Sequence, residues 1–445
     1  MRIRLLKSSA ILVSVAALLA WVAKIDLPST EGDLSTLSAV DTAWVSICAG
    51  LVMLMTPALG FFYGGLVRQK NLVSILMQCL AIFAIACGVW TLWGYSLAFG
   101  PSKHGLIGGL KYAFLTGVGT APDPDYSETI PGLSFYFFQM KFAAITPALI
   151  IGAFAERIKF SSLLVFLVVW ATVVYAPVAH WVWGLGGWLR NLGALDFAGG
   201  TVVHVLAGVT ALAGAWVIGR RRIPPDEKEG PNNVPFVILG AALLWFGWFG
   251  FNAGSALGMN GVAVMALVTT NIAAAFATMS WVAVDWYVRG KPTATGAAIG
   301  AVCGLVAITP AAGYVTVTGG MAIGLTAGLV CNLFVVLMKR SPIDDALDVF
   351  ACHGMGGILG ALLTGVFCTK AVNPAGADGL LYGNPKQFLI QLAAVVVVAV
   401  WGFVTSVLLL KVINKVMKLR VSVADEHLGL DLAEHGESAY QGSWK

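Results

Sequence analysis

The sequence predicts an all-α integral membrane protein with eleven transmembrane helices, and three observations support this fold class. Hydrophobic residues make up 58% of the 445 residues and charged residues only 11%, whereas a soluble domain carries about 25% charged residues. The apolar runs are about 20 residues long, which is the length a helix needs to cross a bilayer. A membrane barrel would show short alternating segments instead, so helices in a lipid bilayer are predicted.

Eleven apolar segments follow the first 41 residues, and each is interpreted as one transmembrane helix. The chain is therefore divided into a transmembrane domain over residues 41–415 and a polar tail over residues 416–445. The segments cover approximately residues 42–65, 72–99, 131–154, 161–184, 199–219, 234–252, 262–288, 295–312, 317–338, 351–369 and 388–412.

Residues 1–26 have the outline of a secretory signal peptide, because a basic start precedes an apolar stretch and then a polar segment. We predict that this segment is cleaved, with an uncleaved anchor helix as the alternative.

The basic residues of the loops predict the orientation. Loops after odd-numbered helices carry clusters such as Arg220, Arg221 and Arg222, whereas the other loops hold scattered bases. Cytoplasmic loops carry the excess of Lys and Arg. The mature N-terminus is therefore predicted outside and the tail in the cytoplasm, in a plasma or inner cell membrane. The net charge of +5 does not indicate nucleic-acid binding in such a chain.

A short internal repeat links the two halves. Asp196 lies eight positions before His204 in the fifth segment, and Asp345 lies eight positions before His353 in the tenth. Because five is odd, the second copy must be inverted in the membrane. We predict five-helix repeats over about 42–219 and 234–369, followed by the extra helix 388–412, with a site near the midplane, as in many transporters.

The two histidines are the strongest candidates for function. Ionisable groups at membrane depth are rare and usually face a pathway, and a neutral imidazole carries one donor and one acceptor. His204 and His353 are therefore predicted to pass a small polar molecule along by hydrogen bonds. The alternative is a structural hydrogen bond between helices. The sequence shows no third metal ligand at suitable spacing, so neither a metal site nor a cofactor is predicted.

Three acidic residues stand just before these helices. Asp196 precedes the fifth, and Asp345 and Asp348 precede the tenth. Helix capping, with a favourable dipole interaction, is the expected role of all three. Asp196 could in addition stabilise a nearby cation through its field.

Several strings resemble the ammonium transporter family over essentially the whole chain from about residue 41. They include Phe138-Gln-Met-Lys-Phe142, Ala179-His-Trp-Val-Trp183-Gly, Phe246-Gly-Trp-Phe-Gly-Phe251-Asn-Ala-Gly-Ser255 and Asp348-Val-Phe-Ala-Cys-His353-Gly. The string Leu195-Asp-Phe-Ala-Gly-Gly-Thr-Val-Val-His204 is highly specific for this family.

The resemblance implies a set of site residues. An outer recruitment site for ammonium would be formed by Phe142, Trp183 and Ser255, where aromatic faces can stabilise a cation. Phe142 and Phe251 would form a gate with Phe138 beside it. His204 and His353 would be the twin histidines of the pore, and Asp196 would be structural and support recruitment.

The resemblance also implies partners. It predicts a homotrimer in which each protomer has its own pore, and a P-II-type nitrogen-regulatory signal protein that docks at the cytoplasmic face. The tail would then be a regulatory segment rather than a disordered end.

The predicted function is ammonium transport: the protein recruits ammonium, deprotonates it and conducts ammonia past the histidines, with the proton lost outside or relayed. The alternatives are an ammonium sensor that acts through a partner and a Rhesus-type ammonia or gas channel. An enzyme is not predicted, because the sequence shows no carboxylate-rich or Cys/His cluster beside the two histidines.

Overall fold

A computed structural model describes residues 33–227 and 229–440. The predicted signal peptide lies outside the described residues.

Within the described residues, eleven apolar helices match the eleven predicted segments. Ten are long and apolar enough to cross a bilayer, and α8 is shorter, with 15 residues. The helices are α1 (Ala39–Leu66), α2 (Gln69–Phe99), α3 (Gly132–Phe154), α4 (Phe160–Leu192), α5 (Gly200–Ile218), α6 (Val234–Gly254), α7 (Gly261–Arg289), α8 (Ala294–Ile308), α9 (Val317–Arg340), α10 (Phe350–Phe367) and α11 (Pro385–Val416).

The long connection between α2 and α3 carries two small antiparallel hairpins. The first pairs β1 (Ser102–Lys103) with β2 (Ile107–Gly108), and the second pairs β3 (Pro122–Asp123) with β4 (Ser127–Pro131). These hairpins cover the end of the bundle from which α3 starts.

The loops divide between two faces as the charge pattern predicts. Arg68 after α1 pairs with Glu156 after α3 (2.7 Å) and with Glu227 after α5 (2.6 Å). Arg221 after α5 pairs with Asp344 after α9 (2.9 Å). We call the face that carries these basic loops the inner face and the opposite one the outer face.

The inverted relation of the two repeats is visible in the starts of α5 and α10. Asp196, before α5, lies at the outer face, where its carbonyl accepts a hydrogen bond from Trp183 (2.9 Å). Asp345, before α10, lies beside the Asp344–Arg221 pair at the inner face. The two helices therefore enter the bundle from opposite sides and meet inside it.

Both helices begin with a turn of π-helix, Gly200–Val205 in α5 and Phe350–Gly354 in α10. Such turns frequently occur at functional sites. Each of these two contains the histidine of its repeat.

The tail packs against the inner face. Its helix α12 (Val423–Leu428) contains Glu426, which is fully buried and accepts hydrogen bonds from Arg420 and from the backbone N–H of Arg222 (2.6 Å). Asp431 accepts a bond from the backbone N–H of Ser74 in α2 (2.7 Å), and Glu434 accepts one from Phe160 at the start of α4 (3.0 Å). The described tail thus caps two membrane helices.

Candidate functional site

A cavity of about 460 Å³ opens at the outer face, and we call it the outer cavity. Phe142, Trp183 and Ser255, the three predicted recruitment residues, all line it. They come from α3, α4 and the end of α6, so the fold brings together side chains that are far apart in the chain.

The aromatic rings at the floor of the outer cavity are in contact. The Trp183 ring is nearly perpendicular to the Phe142 ring, with centroids 5.9 Å apart. The indole N–H of Trp183 donates to the carbonyl of Asp196, and Arg190 donates to the carbonyl of Trp183 (2.5 Å). These two bonds hold Trp183 in place: Arg190 belongs to the short helical turn Trp188–Leu192 after the break of α4 at Gly184, and Asp196 follows that turn.

Ser255 supplies a hydroxyl group to the outer cavity. Its Oγ donates to the carbonyl of Phe251 at 2.8 Å. The hydroxyl proton is therefore engaged, and the oxygen lone pairs remain for an N–H donor such as ammonium.

Beneath the cavity, the predicted gate closes the path. The Phe142 and Phe251 rings lie 4.3 Å apart at an interplanar angle of 33°, and both side chains are buried. Phe138 packs edge-on against Phe142 at 5.0 Å. The structure brings all three predicted gate residues together.

The two histidines meet on the inner side of the gate. The distance between Nδ1 of His204 and Nδ1 of His353 is 3.3 Å, and their rings are nearly parallel at 22°. One nitrogen must carry the proton for this contact to be a hydrogen bond, so the two rings adopt complementary tautomers. Nε2 of His204 is buried without a partner.

Close backbone contact makes the histidine pair possible. A Cβ atom on Gly208 would lie 2.1 Å from the backbone nitrogen of Gly354, and one on Gly357 would lie 2.9 Å from the carbonyl of Gly200. Only glycine fits at these positions, which are the small residues that the sequence places one turn after each histidine.

A small cavity of about 10 Å³ lies beside the histidines. A volume near 10–15 Å³ is about what one water-sized molecule needs. Apart from the two imidazoles, its lining is entirely hydrophobic and comes from Met55, Leu59, Ile145, Leu149, Val203, Leu244, Trp248, Phe251 and Val302.

Asp196 acts as the cap that the sequence predicts. Its Oδ1 accepts from the backbone N–H groups of Gly199 and Gly200 (2.7 and 2.6 Å). Its Oδ2 accepts from the backbone of Thr201 and Val202 and from the Thr201 hydroxyl. All of these hydrogen bonds come from residues 199–202, at the start of α5.

At the start of α10 the two aspartates make different contacts. Oδ2 of Asp345 accepts from the backbone N–H of Phe350 (2.7 Å). Asp348 contributes its backbone instead: its carbonyl accepts from Cys352 (2.9 Å), and its φ is +56°. Asp348 stands two residues before the π-turn begins at Phe350, and its left-handed backbone is not the extended geometry of an N-cap.

Two site features were not predicted. Trp248 stacks on His204, with centroids 5.4 Å apart at 23°. It lies three positions before Phe251 on α6, so helical spacing could have indicated it. His180 is buried, and its ring nitrogens contact the carbonyl of Ala98 and the hydroxyl of Ser102 at 2.8 Å each. It fixes β1 to α4, a long-range contact that local sequence does not encode.

Metal chemistry finds no support in the described part of the chain. The described residues contain no group of three or more His, Cys, Asp or Glu that could hold a metal ion. All seven cysteines lie in that part as free thiols.

Comparisons with known proteins agree with this geometry. A family model described as Ammonium Transporter Family matches residues 43–440. The chain is 50% identical over 404 residues to the ammonium transporter of Bacillus subtilis strain 168, which covers 91% of this chain and 99% of that protein.

Solved structures of similar proteins have the same fold as this chain. The chain resembles Mep2 of Saccharomyces cerevisiae with a TM-score of 0.85 at 36% identity, covering 94% of this chain and 97% of Mep2. It also resembles a protein named Sensor Amt Protein, with a TM-score of 0.82 at 33% identity, covering 89% and 98% of the two chains.

In the described part of the chain, eleven apolar helices surround a buried polar pair between cavities that open at opposite faces, as in a multi-pass membrane transporter. The family model and the curated relative are both described as ammonium transporters, so the chain is a transporter rather than an enzyme. Because the family model matches residues 43–440, nearly the whole chain, the chain belongs to the ammonium transporter family.

Proposed function

We propose that this transporter recruits ammonium in the outer cavity and conducts ammonia past the twin histidines. One observation carries the proposal: Trp183, Phe142, Phe251, His204 and His353 form a continuous series of ring contacts from the outer cavity to the middle of the bundle. A cation site, an apolar gate and a hydrogen-bonding pair follow one another along a single path.

The recruitment step relies on cation–π attraction. A cation that has lost part of its water gains about 2 kcal/mol from an aromatic face, and ammonium can also donate one hydrogen bond to Oγ of Ser255. Asp196 adds a negative field nearby without contact, because its carboxylate oxygens are occupied by the start of α5.

Ammonium is expected to lose a proton before it passes the gate. A bare charge at the centre of a bilayer costs at least about 2.5 kcal/mol even on lenient insertion scales, and the small hydrophobic cavity beside the histidines offers no carboxylate to offset that cost. Ammonia has no charge penalty, and it can donate to and accept from the imidazoles. The proton is released outside or relayed through the histidine pair.

The test replaces each histidine in turn. His204→Ala and His353→Ala should abolish selective, charge-linked transport, measured as current and uptake of ammonium, methylammonium and potassium in proteoliposomes. His204→Glu should retain conduction while admitting other cations. Wild-type ammonium currents in both alanine variants, with potassium still excluded, would return these residues to a structural role.

Two alternatives remain as outcomes of the same assay. A sensor would bind ammonium with little flux, and the similarity to Sensor Amt Protein favours this second candidate. A Rhesus-type channel would show ammonia flux without an ammonium-dependent current.

We also propose that the protein is a homotrimer in a cell membrane and that its signal peptide is cleaved. The inner face would be cytoplasmic and would bind a P-II-type signal protein. Native mass spectrometry in lipid nanodiscs would report three protomers, and N-terminal sequencing would locate the mature start. Recovery of the trimer by an immobilised P-II protein would establish docking. Labelling of an introduced cysteine in the 220–233 loop only in opened cells would establish the orientation.

A further inference from the structure

The two repeats place equivalent aspartates at opposite ends of the pore, but their surroundings differ. Both carboxylate oxygens of Asp196 accept hydrogen bonds from backbone N–H groups, and one of them also accepts from the Thr201 hydroxyl. Asp345 uses Oδ2 for the backbone N–H of Phe350, whereas its Oδ1 is buried without a partner. The inner aspartate therefore has a free oxygen that helix capping does not explain.

Asp345 lies at the inner face, where the proposed path for solute ends. It lines a cavity of about 780 Å³ at the inner face, the inner cavity, and its side chain is only 8% exposed. It stands eight residues before His353, which itself faces the small hydrophobic cavity. A buried carboxyl with a free oxygen is thus held between the histidine pair and bulk water.

Burial and a neighbouring charge bring the pKa of Asp345 close to neutral pH. Burial, and next the charge of Asp348, raise the pKa of Asp345 to about 7, although the N–H groups of Phe350 and Val349 and the charge of Arg157 oppose this rise. Other titratable or charged groups that face it or share the inner cavity are Tyr63, Cys352, Arg220, Arg221, Glu229, Asp285, Arg289, Lys339 and Asp344.

Two other carboxylates of the inner cavity, Asp344 and Asp285, accept hydrogen bonds on both of their oxygens. Arg221 engages both oxygens of Asp344 (2.9 Å each). Asp285 accepts from Thr293 (2.9 Å) and Asn332 (3.3 Å). Burial alone would raise the pKa of Asp344, but the Arg221 guanidinium lowers it to about 2, so Asp344 is a poor proton donor near neutral pH.

We propose that Asp345 is the proton-exchange group at the inner end of the pore, where it protonates the ammonia or methylamine that arrives past His353. The inference rests on the proposed function. The O–H bond of the protonated carboxyl breaks, its proton forms a new N–H bond with the nitrogen lone pair, and ammonium leaves into the inner cavity. The carboxylate then recovers a proton from water in that cavity.

The experiment uses everted membrane vesicles that contain the full chain, because the bath then titrates the predicted inner face directly. The vesicles are loaded with labelled methylammonium at fixed internal pH, and efflux is measured at bath pH values from about 5.5 to 8.5. Tracer efflux reports transport whether or not it carries net charge. Infrared spectroscopy of the same proteins follows protonated carboxyl groups.

In wild type, efflux should fall as the bath pH rises through about 7, because the protonated carboxyl is the donor. A positioned acid accelerates proton transfer by about a hundredfold or more, so Asp345→Asn should lower efflux at neutral pH at least about tenfold and flatten the profile. The matched control, Asp348→Asn, removes the same charge from the same cavity. It should keep the pH dependence and shift it to lower pH, because a like charge next to Asp345 is lost.

A wild-type pH profile in Asp345→Asn would overturn the inference, and so would a flat profile in Asp348→Asn. If Asp345→Asn does not fold, the infrared band decides. A carboxyl band that titrates near neutral pH in wild type and moves in Asp345→Glu supports the assignment, and the absence of such a band refutes it. Absence of any efflux in wild type would instead refute the proposed function, while the infrared titration would still report on Asp345.

Discussion

Replacing Gly208 by alanine tests whether the crossing of α5 and α10 sets the histidine pair. The added Cβ would lie 2.1 Å from the backbone nitrogen of Gly354 and 2.2 Å from its Cα. Both are backbone atoms, so no side chain can rotate away. Bringing the shorter contact to 3.0 Å, still tighter than ordinary packing, separates the two backbones by about 0.9 Å.

A separation of that size has a direct consequence for the site. If it acts along the line between the rings, the Nδ1–Nδ1 distance lengthens from 3.3 Å to about 4.2 Å, beyond the range of a hydrogen bond. Overpacking of this kind costs about 1–3 kcal/mol of stability. Misplacing transfer groups by about 1 Å can lower a rate about a hundredfold, so ammonium flux in Gly208→Ala should fall by that order.

Two glycine variants separate this effect from general damage. A Cβ on Gly324 in α9 would lie 2.3 Å from the carbonyl of Ala273 in α7, far from the histidines in the chain, whereas one on Gly88 in α2 meets nothing within 4 Å. Gly324→Ala should lower the unfolding temperature with a smaller loss of flux, and Gly88→Ala should change neither. Flux in Gly208→Ala equal to that of wild type would refute the reasoning.

Three further predictions follow from other contacts. Trp183→Leu should weaken ammonium affinity about thirtyfold, because about 2 kcal/mol of cation–π attraction is lost. The ammonium concentration that gives half-maximal flux measures this change. Trp188→Leu is the control, because Trp188 packs on Trp181 instead. Burial alone would raise the pKa of Asp344, but Arg221 lowers it to about 2. Its contribution to stability is therefore complete above the unfolded value near 3.8 and is lost as the pH falls towards 2; Asp344→Asn should remove this part of the acid dependence of thermal unfolding, and an unchanged acid limb would contradict it. Glu426→Gln breaks a buried ion pair, at a cost of about 3–5 kcal/mol, so trypsin should release the tail faster than in wild type or in the exposed control Glu437→Gln.

The parts of the fold that depend on hydrophobicity and charge were predictable from the sequence. Runs of apolar residues locate all eleven helices, including α8, and the basic loops correctly place the odd-numbered connections and the tail on one face. The same holds for the histidines, because an ionisable residue inside an apolar helix is conspicuous wherever it occurs. Their twofold placement after Asp196 and Asp345 gave the inverted repeat.

Features that depend on tertiary partners were not predictable. Asp345 and Asp348 look alike in the sequence, and only the left-handed backbone of Asp348 shows which one caps α10. Likewise, Trp181, Trp183 and Trp188 form one cluster in the sequence. In the structure Trp183 lines the outer cavity, whereas Trp181 contacts Trp188 and Trp401. Lys141, beside the gate in the sequence, places its ammonium group over the Phe137 ring at 3.7 Å and does not line the outer cavity.

The docked tail changes how truncation experiments must be interpreted. Asp431 and Glu434 stand in for the N-terminal caps of α2 and α4, whose own flanking residues supply no such side chain. Removing residues 421–445 would leave two membrane helices with exposed first-turn N–H groups, so a shortened chain that fails to bind a partner could have lost its inner surface rather than a binding motif. Point substitutions on the solvent side of the tail, with Asp431 and Glu434 retained, would separate recognition from scaffolding.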